Sequence, residues 1–208
     1  SSDFIFGSEI KAIFANAKST PSLDIGGLIE TALLYSPTPP KTAFKNIFRL
    51  PASTSFSFDL NSWILETKNY WEFPFLKENS TGQKSNFANL KDTLYKNLEK
   101  EVKTYTNHGD KPISIMISGG IDSSILAYMA KSLGKIKDSF GLTFEDKNLD
   151  ESYYQNKLAK YLGIKHHGII CKDEEIFKLL PEVLWHVESP LFRTAPIPLF
   201  KLSKAIDA

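Results

Sequence analysis

The second half of the sequence alternates short β-branched runs with amphipathic stretches, and this alternation restricts the fold more than any other feature. Three runs are typical of strands: residues 112–117, 139–144 and 165–171. Five stretches have helical periodicity: residues 86–105, 123–133, 150–162, 173–187 and 196–206. Strands joined through helices run parallel, so the pattern predicts an α/β fold, a parallel sheet with helices on both faces.

The first half, residues 1–74, is rich in Pro, Ser, Thr and aromatic residues and lacks this alternation. It predicts a short helix at 26–35, ended by the prolines that follow, and short strands at 43–50 and 54–58. Residues 76–85 include Asn, Ser, Thr and Gly and are predicted to form a linker. We therefore expect two domains, residues 1–74 and 75–208.

Composition excludes several classes of protein. The 208 residues carry 25 Lys and Arg against 24 Asp and Glu, and this balance gives no overall field for binding nucleic acid or an acidic membrane. The single cysteine, Cys171, excludes an internal disulfide framework and is predicted to be a buried structural thiol. Apolar stretches fall short of the ~20 residues that a membrane span needs. We expect a cytoplasmic protein.

The segment Ser-Gly-Gly-Ile-Asp-Ser-Ser at 118–124 lies between a predicted strand and a predicted helix. Gly119 and Gly120 permit a tight turn whose amides can approach an anion. The helix then presents its first N–H groups beside the hydroxyls of Ser118, Ser123 and Ser124, which suits a phosphate or pyrophosphate. Asp122 would repel that phosphate unless a cation lay between them, so its expected role is to hold Mg²⁺.

A simpler interpretation of this loop stays open. The glycines would form a turn, Asp122 or Ser123 would cap the helix, and no ligand would bind. A kinase or GTPase is disfavoured, since no Lys follows the glycines as it does in GxxxxGK[ST].

The loop resembles the pyrophosphate loop of the N-type ATP pyrophosphatases, and its flanks resemble glutamine-hydrolysing asparagine synthetase in that family's order. The resembling segments are residues 6–13, 40–47 with 50–51, 70–71, 140–144, 150–151, 162–163 with 166–167, and 188–203. The resemblance implies an adenine-nucleotide α-hydrolase-like sheet in residues 75–208. It also implies that residues 1–74 are the C-terminal part of an N-terminal-nucleophile glutaminase domain.

The resemblance further implies a site for ATP and Mg²⁺. The implied ATP and pyrophosphate residues are Met116, Ser118, Gly119, Gly120, Asp122, Ser123 and Leu142. Met116 and Leu142 would contact adenine through their main chain, and Asp122 would be the metal ligand. Glu188 and Arg193 are candidates for the substrate, because a dicarboxylic acid suits an Arg partner. The alternative is that Glu188 and Arg193 pair with each other.

Two departures from the family pattern limit these expectations. The family's glutaminase uses an N-terminal cysteine, whereas this sequence starts Ser1-Ser2, and Cys171 cannot replace that nucleophile. No Ser-Gly-Glu/Asp-Gly-x-Asp-Glu segment follows the helix at 196–206. We therefore expect an internal or truncated segment of a longer enzyme, without glutamine hydrolysis in these residues.

The implied reaction is ATP-dependent adenylation of a carboxylate, aspartate first among candidates, followed by amide formation with ammonia. The implied partners are small molecules: ATP, aspartate, and ammonia released from glutamine in the full-length enzyme. No nucleic acid or membrane partner is expected, and a homodimer stays open. One alternative is a related amide synthetase with another acid substrate. Another is a truncated, non-catalytic module that binds a nucleotide or a partner.

Overall fold

The computed structural model describes residues 3–16, 20–73, 86–107, 109 and 113–207. Two compact units divide the chain. The first unit comprises Ser1–Ser80 with Pro181–Thr194, and the second comprises Thr81–Leu180 with Ala195–Ala208. The linker predicted at 76–85 lies outside the described residues.

The first unit contains two short helices and a hairpin. Its elements are α1 Ile10–Asn16, α2 Ile25–Leu34, β1 Thr54–Phe58 and β2 Leu65–Asn69. Asp24 caps α2, since its Oδ1 accepts a hydrogen bond of 2.7 Å from the amide of Gly27. The two strands pair antiparallel. Aromatic rings fill the space beside the hairpin, where Phe4 stacks on Phe58 with centroids 4.1 Å apart.

Sequence patterns predicted this unit unevenly. The helix at 26–35 and the strand at 54–58 are confirmed within one residue. The strand predicted at 43–50 is wrong, because these residues form only the isolated bridge between Leu23 and Phe44. There the Thr42 hydroxyl donates hydrogen bonds to the carbonyls of Phe44 and Ile47, and these bonds stabilise a turn instead of a strand. The second strand, β2, escaped prediction because it is exposed throughout and shows no apolar alternation.

The second unit has the predicted α/β order. Its elements are α3 Phe87–Thr106, β3 Ile113–Met116, α4 Ile121–Ser132, β4 Ile136–Phe144, α5 Ser152–Leu162, β5 Lys165–Cys171, α6 Asp173–Val187, whose end from Pro181 belongs to the first unit, and α7 Pro196–Asp207. The strands form a sheet in the order β3-β4-β5, and both pairings are parallel. The predicted fold class, α/β with a parallel sheet, is confirmed for this unit.

Side-chain alternation along β4 indicates that helices lie against both faces of the sheet. A Cβ on Gly141 would lie 2.3 Å from the Gln155 side chain of α5. The next residue, Leu142, points the other way and lines a cavity with Leu199 and Leu202 of α7. The core between α3, α4, α5 and the sheet includes Val102, Ile117, Ala127, Met129, Ala130, Ile136, Ala159, Leu162 and Ile164. None of the described helices is long and apolar enough to cross a membrane.

Candidate functional site

The loop that joins β3 to α4 turns sharply at Gly119. This residue has φ +89°, and a Cβ there would come within 3.2 Å of both Glu151 and Tyr154. Gly120 follows in extended backbone as the N-cap of α4, with no side-chain hydrogen bond to the helix. The loop therefore packs closely against the start of α5, and position 119 requires glycine for its conformation and for the lack of space.

The two serines that flank this turn are joined by hydrogen bonds. The Ser118 amide donates to Ser123 Oγ at 3.2 Å, and the two Oγ atoms lie 3.1 Å apart. The Gly120 amide donates to Ser118 Oγ at 3.3 Å, and Ser123 Oγ donates to the Gly120 carbonyl at 3.1 Å. Both hydroxyls are thereby held on the same side of the loop.

The first turn of α4 leaves amides without an intrahelical acceptor. The first intrahelical bond runs from the Ser124 amide to the Gly120 carbonyl at 3.1 Å, so the amides of Ile121, Asp122 and Ser123 precede the helical ladder. The alternative that Asp122 or Ser123 caps α4 is wrong, because Gly120 holds the cap position. Free amides, the positive end of the helix dipole and two hydroxyls together form a group suited to an anion.

A cavity of about 270 Å³ opens at the carboxyl edge of the sheet, beside this loop. Its lining is mostly apolar: Met116, Ile117, Ser118, Ser123, Leu142, Phe144, Leu149, Glu151, Gln155, Leu199 and Leu202. Four predicted residues come together there, namely Met116, Ser118, Ser123 and Leu142. Gly119 and Gly120 belong to the adjoining loop and Asp122 to the first turn of α4, and none of the three lines the cavity. A slot at the ends of parallel strands is where α/β proteins bind their ligands.

Gln155 is the lining residue that sequence reasoning missed most clearly. Its side chain is 2% exposed, and its Nε2 donates to the Leu142 carbonyl at 2.9 Å. Gly141 makes room for this side chain, since a Cβ at 141 would lie 2.3 Å from Gln155 Oε1. The same Cβ would lie 2.9 Å from the Ile117 carbonyl. A glutamine in an amphipathic helix is normally read as a surface residue. The Gly141 position within a strand was the only signal of a close approach.

Asp150 and Glu151, at the start of α5, have different roles. Asp150 accepts hydrogen bonds from the amides of Phe144 and Ser152, both at 3.3 Å, and from the Ser152 hydroxyl at 2.6 Å. The Ser152 hydroxyl is the main cause that lowers the pKa of Asp150. Asp150 thus ties the end of β4 to the first turn of α5, whereas Glu151 lines the cavity.

Asp122 is an exposed carboxylate in the first turn of α4. Among the residues that the structure describes, no three His, Cys, Asp or Glu side chains come together as a metal cluster. Mg²⁺ at phosphate sites takes one or two carboxylates and fills its remaining positions with phosphate oxygens and water. A single carboxylate beside free helix amides fits that donor set.

Glu188 and Arg193 lie in the first unit and do not line the cavity. Glu188 accepts hydrogen bonds from the amides of Ile10 at 2.6 Å and Lys11 at 2.8 Å, and from Lys11 Nζ at 3.1 Å. Burial opposes ionisation, but these donors outweigh it and lower the pKa of Glu188. The Arg193 guanidinium lies 5.0 Å from the ring centroid of Tyr35. The alternative that Glu188 and Arg193 pair with each other is therefore wrong.

Cys171 closes β5 as a buried free thiol. Burial is the main cause that raises its pKa, which disfavours the reactive thiolate. The prediction of a buried structural thiol is confirmed.

The fold and the loop define a class of protein, an α/β protein with a glycine and serine anion loop at the carboxyl edge of a parallel sheet. The family model described as Asparagine synthase matches residues 93–208, more than half of the chain. The chain belongs to the asparagine synthase family, a family of amide-forming ligases.

Three curated proteins illustrate what the chain is similar to. "Putative asparagine synthetase (glutamine-hydrolyzing) 2" of Methanocaldococcus jannaschii is 28% identical over 97% of this chain and 39% of its own length. "Asparagine synthetase (glutamine-hydrolyzing) 1" of Bacillus subtilis is 28% identical over 66% of this chain and 21% of its own. "Amidase chyE" of Penicillium rubens is 28% identical over 69% of this chain and 23% of its own. The chain spans less than half the length of these relatives.

Proposed function

We propose that this chain binds ATP for the adenylation step of a carbon-nitrogen ligase, with aspartate as the first candidate acid. The observation that carries the proposal is that an apolar cavity and an anion-binding loop lie side by side at the carboxyl edge of the sheet. Met116 and Leu142 line an apolar cavity, and Ser118 and Ser123, whose hydroxyls lie 3.1 Å apart, line it beside the first amides of α4. An apolar slot that ends in an anion site matches the chemistry of a nucleotide.

The proposed binding mode follows from these residues. The adenine base lies in the cavity against the ends of β3 and β4, next to the main chain of Met116 and Leu142. The phosphates lie on the loop of residues 118–123, where hydroxyls and amides donate to their oxygens. The glycines keep side chains away, so the backbone itself approaches the anion.

Asp122 is the residue that would hold Mg²⁺ in this arrangement. When bound, Mg²⁺ neutralises charge on the phosphates. The chain's own contribution is to position the carboxylate next to the first turn of α4. Because the first amides of α4 precede its intrahelical bonds, the carboxylate and the phosphates can share this end of the helix.

The reaction proposed for this site has two steps, and neither changes an oxidation state. A carboxylate oxygen of the acid attacks the α-phosphorus of ATP, the bond to the bridging oxygen breaks, and pyrophosphate leaves. Ammonia then attacks the acyl carbon, AMP leaves, and a proton is released from nitrogen. This chain's part is positioning and charge neutralisation of the triphosphate.

The remaining assignments are also proposals. Residues 1–74 represent the C-terminal part of a glutaminase layer, and residues 75–208 the N-terminal part of the synthetase domain. Arg193 is a candidate for a substrate carboxylate, because its guanidinium can bind one through two parallel hydrogen bonds. Glu188 already accepts three hydrogen bonds from Ile10 and Lys11, and we assign it to supporting the segment that carries Arg193.

Exchange of labelled pyrophosphate into ATP tests the proposal, because exchange requires reversible adenylation. We expect exchange that depends on aspartate and Mg²⁺. The double variant Ser118→Ala with Ser123→Ala should lose it, whereas Ser132→Ala, at the far end of α4, should keep it. Exchange that is independent of any acid, or equal in the two variants, would contradict the proposal.

A related amide synthetase with another acid is the second candidate, and the similarity to the Penicillium rubens protein named as an amidase favours it. The same exchange measured with a panel of amino and dicarboxylic acids separates the two. Exchange with another acid but not with aspartate would support this second candidate.

A further inference from the structure

The helix α7 supplies part of the wall of the cavity described above. Leu199 and Leu202 of this helix both line the cavity, but packing holds them to different degrees. Leu202 is 3% exposed, whereas Leu199 is 52% exposed. Burial therefore fixes Leu202, while the place of Leu199 depends on how α7 is held against the sheet.

Lys201, which lies between these two leucines in sequence, ties α7 to the carboxyl end of β5. Its Nζ donates to the Ile170 carbonyl at 2.5 Å and to both carboxylate oxygens of Glu175, each at 2.6 Å. The side chains of Lys201 and Glu175 are only 24% and 30% exposed, so salt screens this pair less than a pair on the open surface. One ammonium group thus contacts a strand and the first turn of a second helix, α6.

Glu175 is itself held in place at the start of α6. Its Oε2 accepts a hydrogen bond of 2.9 Å from the Lys172 amide, and it belongs to the acidic first turn, where the helix dipole favours a carboxylate. The hydrogen bond from Lys201 is the main cause that lowers the pKa of Glu175, so this carboxylate is ionised at neutral pH. Lys201 therefore has a charged acceptor at a defined position.

The arrangement around Lys201 differs from an ordinary exposed ion pair. Most exposed pairs contribute little to stability, because two long side chains must be ordered for one contact. The Lys201 ammonium instead joins three elements, β5, α6 and α7, at a single point. Its bonds set the rotation of α7 and its position along the sheet edge. Without them Leu202 would stay buried, but Leu199 would lose the constraint that places it beside the cavity.

We propose that Lys201 is a positioning residue for the nucleoside part of the nucleotide, because it holds α7 at the carboxyl end of β5 and so keeps Leu199 and Leu202 against the cavity. This inference rests on the proposed function, since it takes the cavity to hold the base of a nucleotide. Lys201 does not line the cavity itself, so it acts through the two leucines. Its loss should weaken the contacts to the base and spare the phosphates, which we assign to the loop of residues 118–123.

ATP and methyl triphosphate form the matched ligand pair for the test, because both carry the triphosphate and only ATP carries the nucleoside. Calorimetry on the 208-residue chain with Mg²⁺ should show tighter binding of ATP. Lys201→Met keeps most of the aliphatic side chain and removes the ammonium. This variant should bind ATP about three- to tenfold more weakly and methyl triphosphate within about twofold of wild type. A residue that only stabilises the fold would lower the melting temperature and leave the ratio of the two affinities unchanged.

Three further variants control this comparison. Lys201→Arg should keep the wild-type ratio, since a guanidinium can bond both oxygens of Glu175. Glu175→Gln removes the charge of the partner, should lower the ratio in the same direction as Lys201→Met, and serves as the second variant if Lys201→Met does not fold. Lys178→Met is the matched control, because Lys178 pairs with Glu174 at 4.0 Å on the surface of α6, where the two side chains are 72% and 69% exposed. It should keep the wild-type ratio.

Each outcome decides the inference. A wild-type ratio retained in Lys201→Met or in Glu175→Gln would overturn the positioning role of Lys201 and leave the proposed function standing. An equal loss of affinity for both ligands, or the same change of ratio in Lys178→Met, would do so too. If wild type binds methyl triphosphate as tightly as ATP, the cavity does not hold the base and the inference fails, while the phosphate site stands. If neither ligand binds, the proposed function fails and the inference falls with it.

Discussion

At the scale of single residues, Glu188 illustrates how an ionised side chain is committed to structure. Its side chain is 14% exposed and accepts two backbone amides and the Lys11 ammonium. The sequence suggested a substrate contact for Glu188 together with Arg193, because a dicarboxylic acid suits an Arg partner. Nothing in the sequence could show the contact with Ile10 and Lys11, because it joins residues more than 170 positions apart.

We predict that Glu188→Gln lowers the free energy of unfolding by about 1–3 kcal/mol at pH 7, since charge-assisted bonds are lost. The folded-state pKa of Glu188 is lowered, so its stabilisation is present above the ordinary pKa of 4.5 and is lost as the pH falls below it. Urea denaturation at several pH values measures this. The difference from wild type should shrink below pH 4.5. A constant difference, or an equal loss in the exposed control Glu66→Gln, would contradict the account.

At the scale of elements, the loop between β3 and α4 depends on glycine at a crowded position. We predict that Gly119→Ala costs about 1–2 kcal/mol from its positive φ, with a further loss from the contacts to Glu151 and Tyr154. It should also weaken ATP binding. Thermal unfolding and calorimetry measure both effects.

Gly134→Ala is the matched control for this substitution. Gly134 has φ +70°, and a Cβ there meets nothing within 4 Å. It should therefore cost about 1 kcal/mol from conformation alone and leave ATP binding unchanged. Equal effects of the two substitutions on stability and binding would contradict the packing of this loop against α5.

Sequence periodicity predicted the elements of the second unit well. The strand at 165–171 and the helix at 173–187 match β5 and α6 at both ends. β4 begins three residues before its predicted start. Asp138 belongs to the strand because its main chain pairs with Ser114 and Lys165, and this pairing does not depend on the polar side chain that the sequence pattern registers. Predicted residues Met116, Ser118, Ser123 and Leu142 do line one cavity. Gln155 and the α7 leucines reach it only through tertiary packing, which local patterns do not encode.

At the scale of the whole molecule, the first unit draws on two separated pieces of sequence, Ser1–Ser80 and Pro181–Thr194. We predict that residues 1–74 expressed alone show little cooperative unfolding, because this piece lacks Glu188 and leaves the α1 amides without their acceptor. Its exposed aromatic surface should also promote association. Calorimetric melting of the piece and of the whole chain measures the difference. A sharp transition for the isolated piece would contradict this prediction.

The central claim is that the loop of residues 118–123 binds the phosphates of Mg-ATP, with Asp122 holding the metal. Asp122→Asn tests it most directly, because Asp122 is exposed and does not cap α4, so folding should change by less than about 1 kcal/mol. Calorimetry of ATP binding to both proteins, with Mg²⁺ and with chelator, is the measurement. We predict about tenfold or greater weakening in Asp122→Asn with Mg²⁺, and similar affinities of the two proteins in chelator. Equal affinities with Mg²⁺, or no binding by the wild-type chain, would contradict the claim.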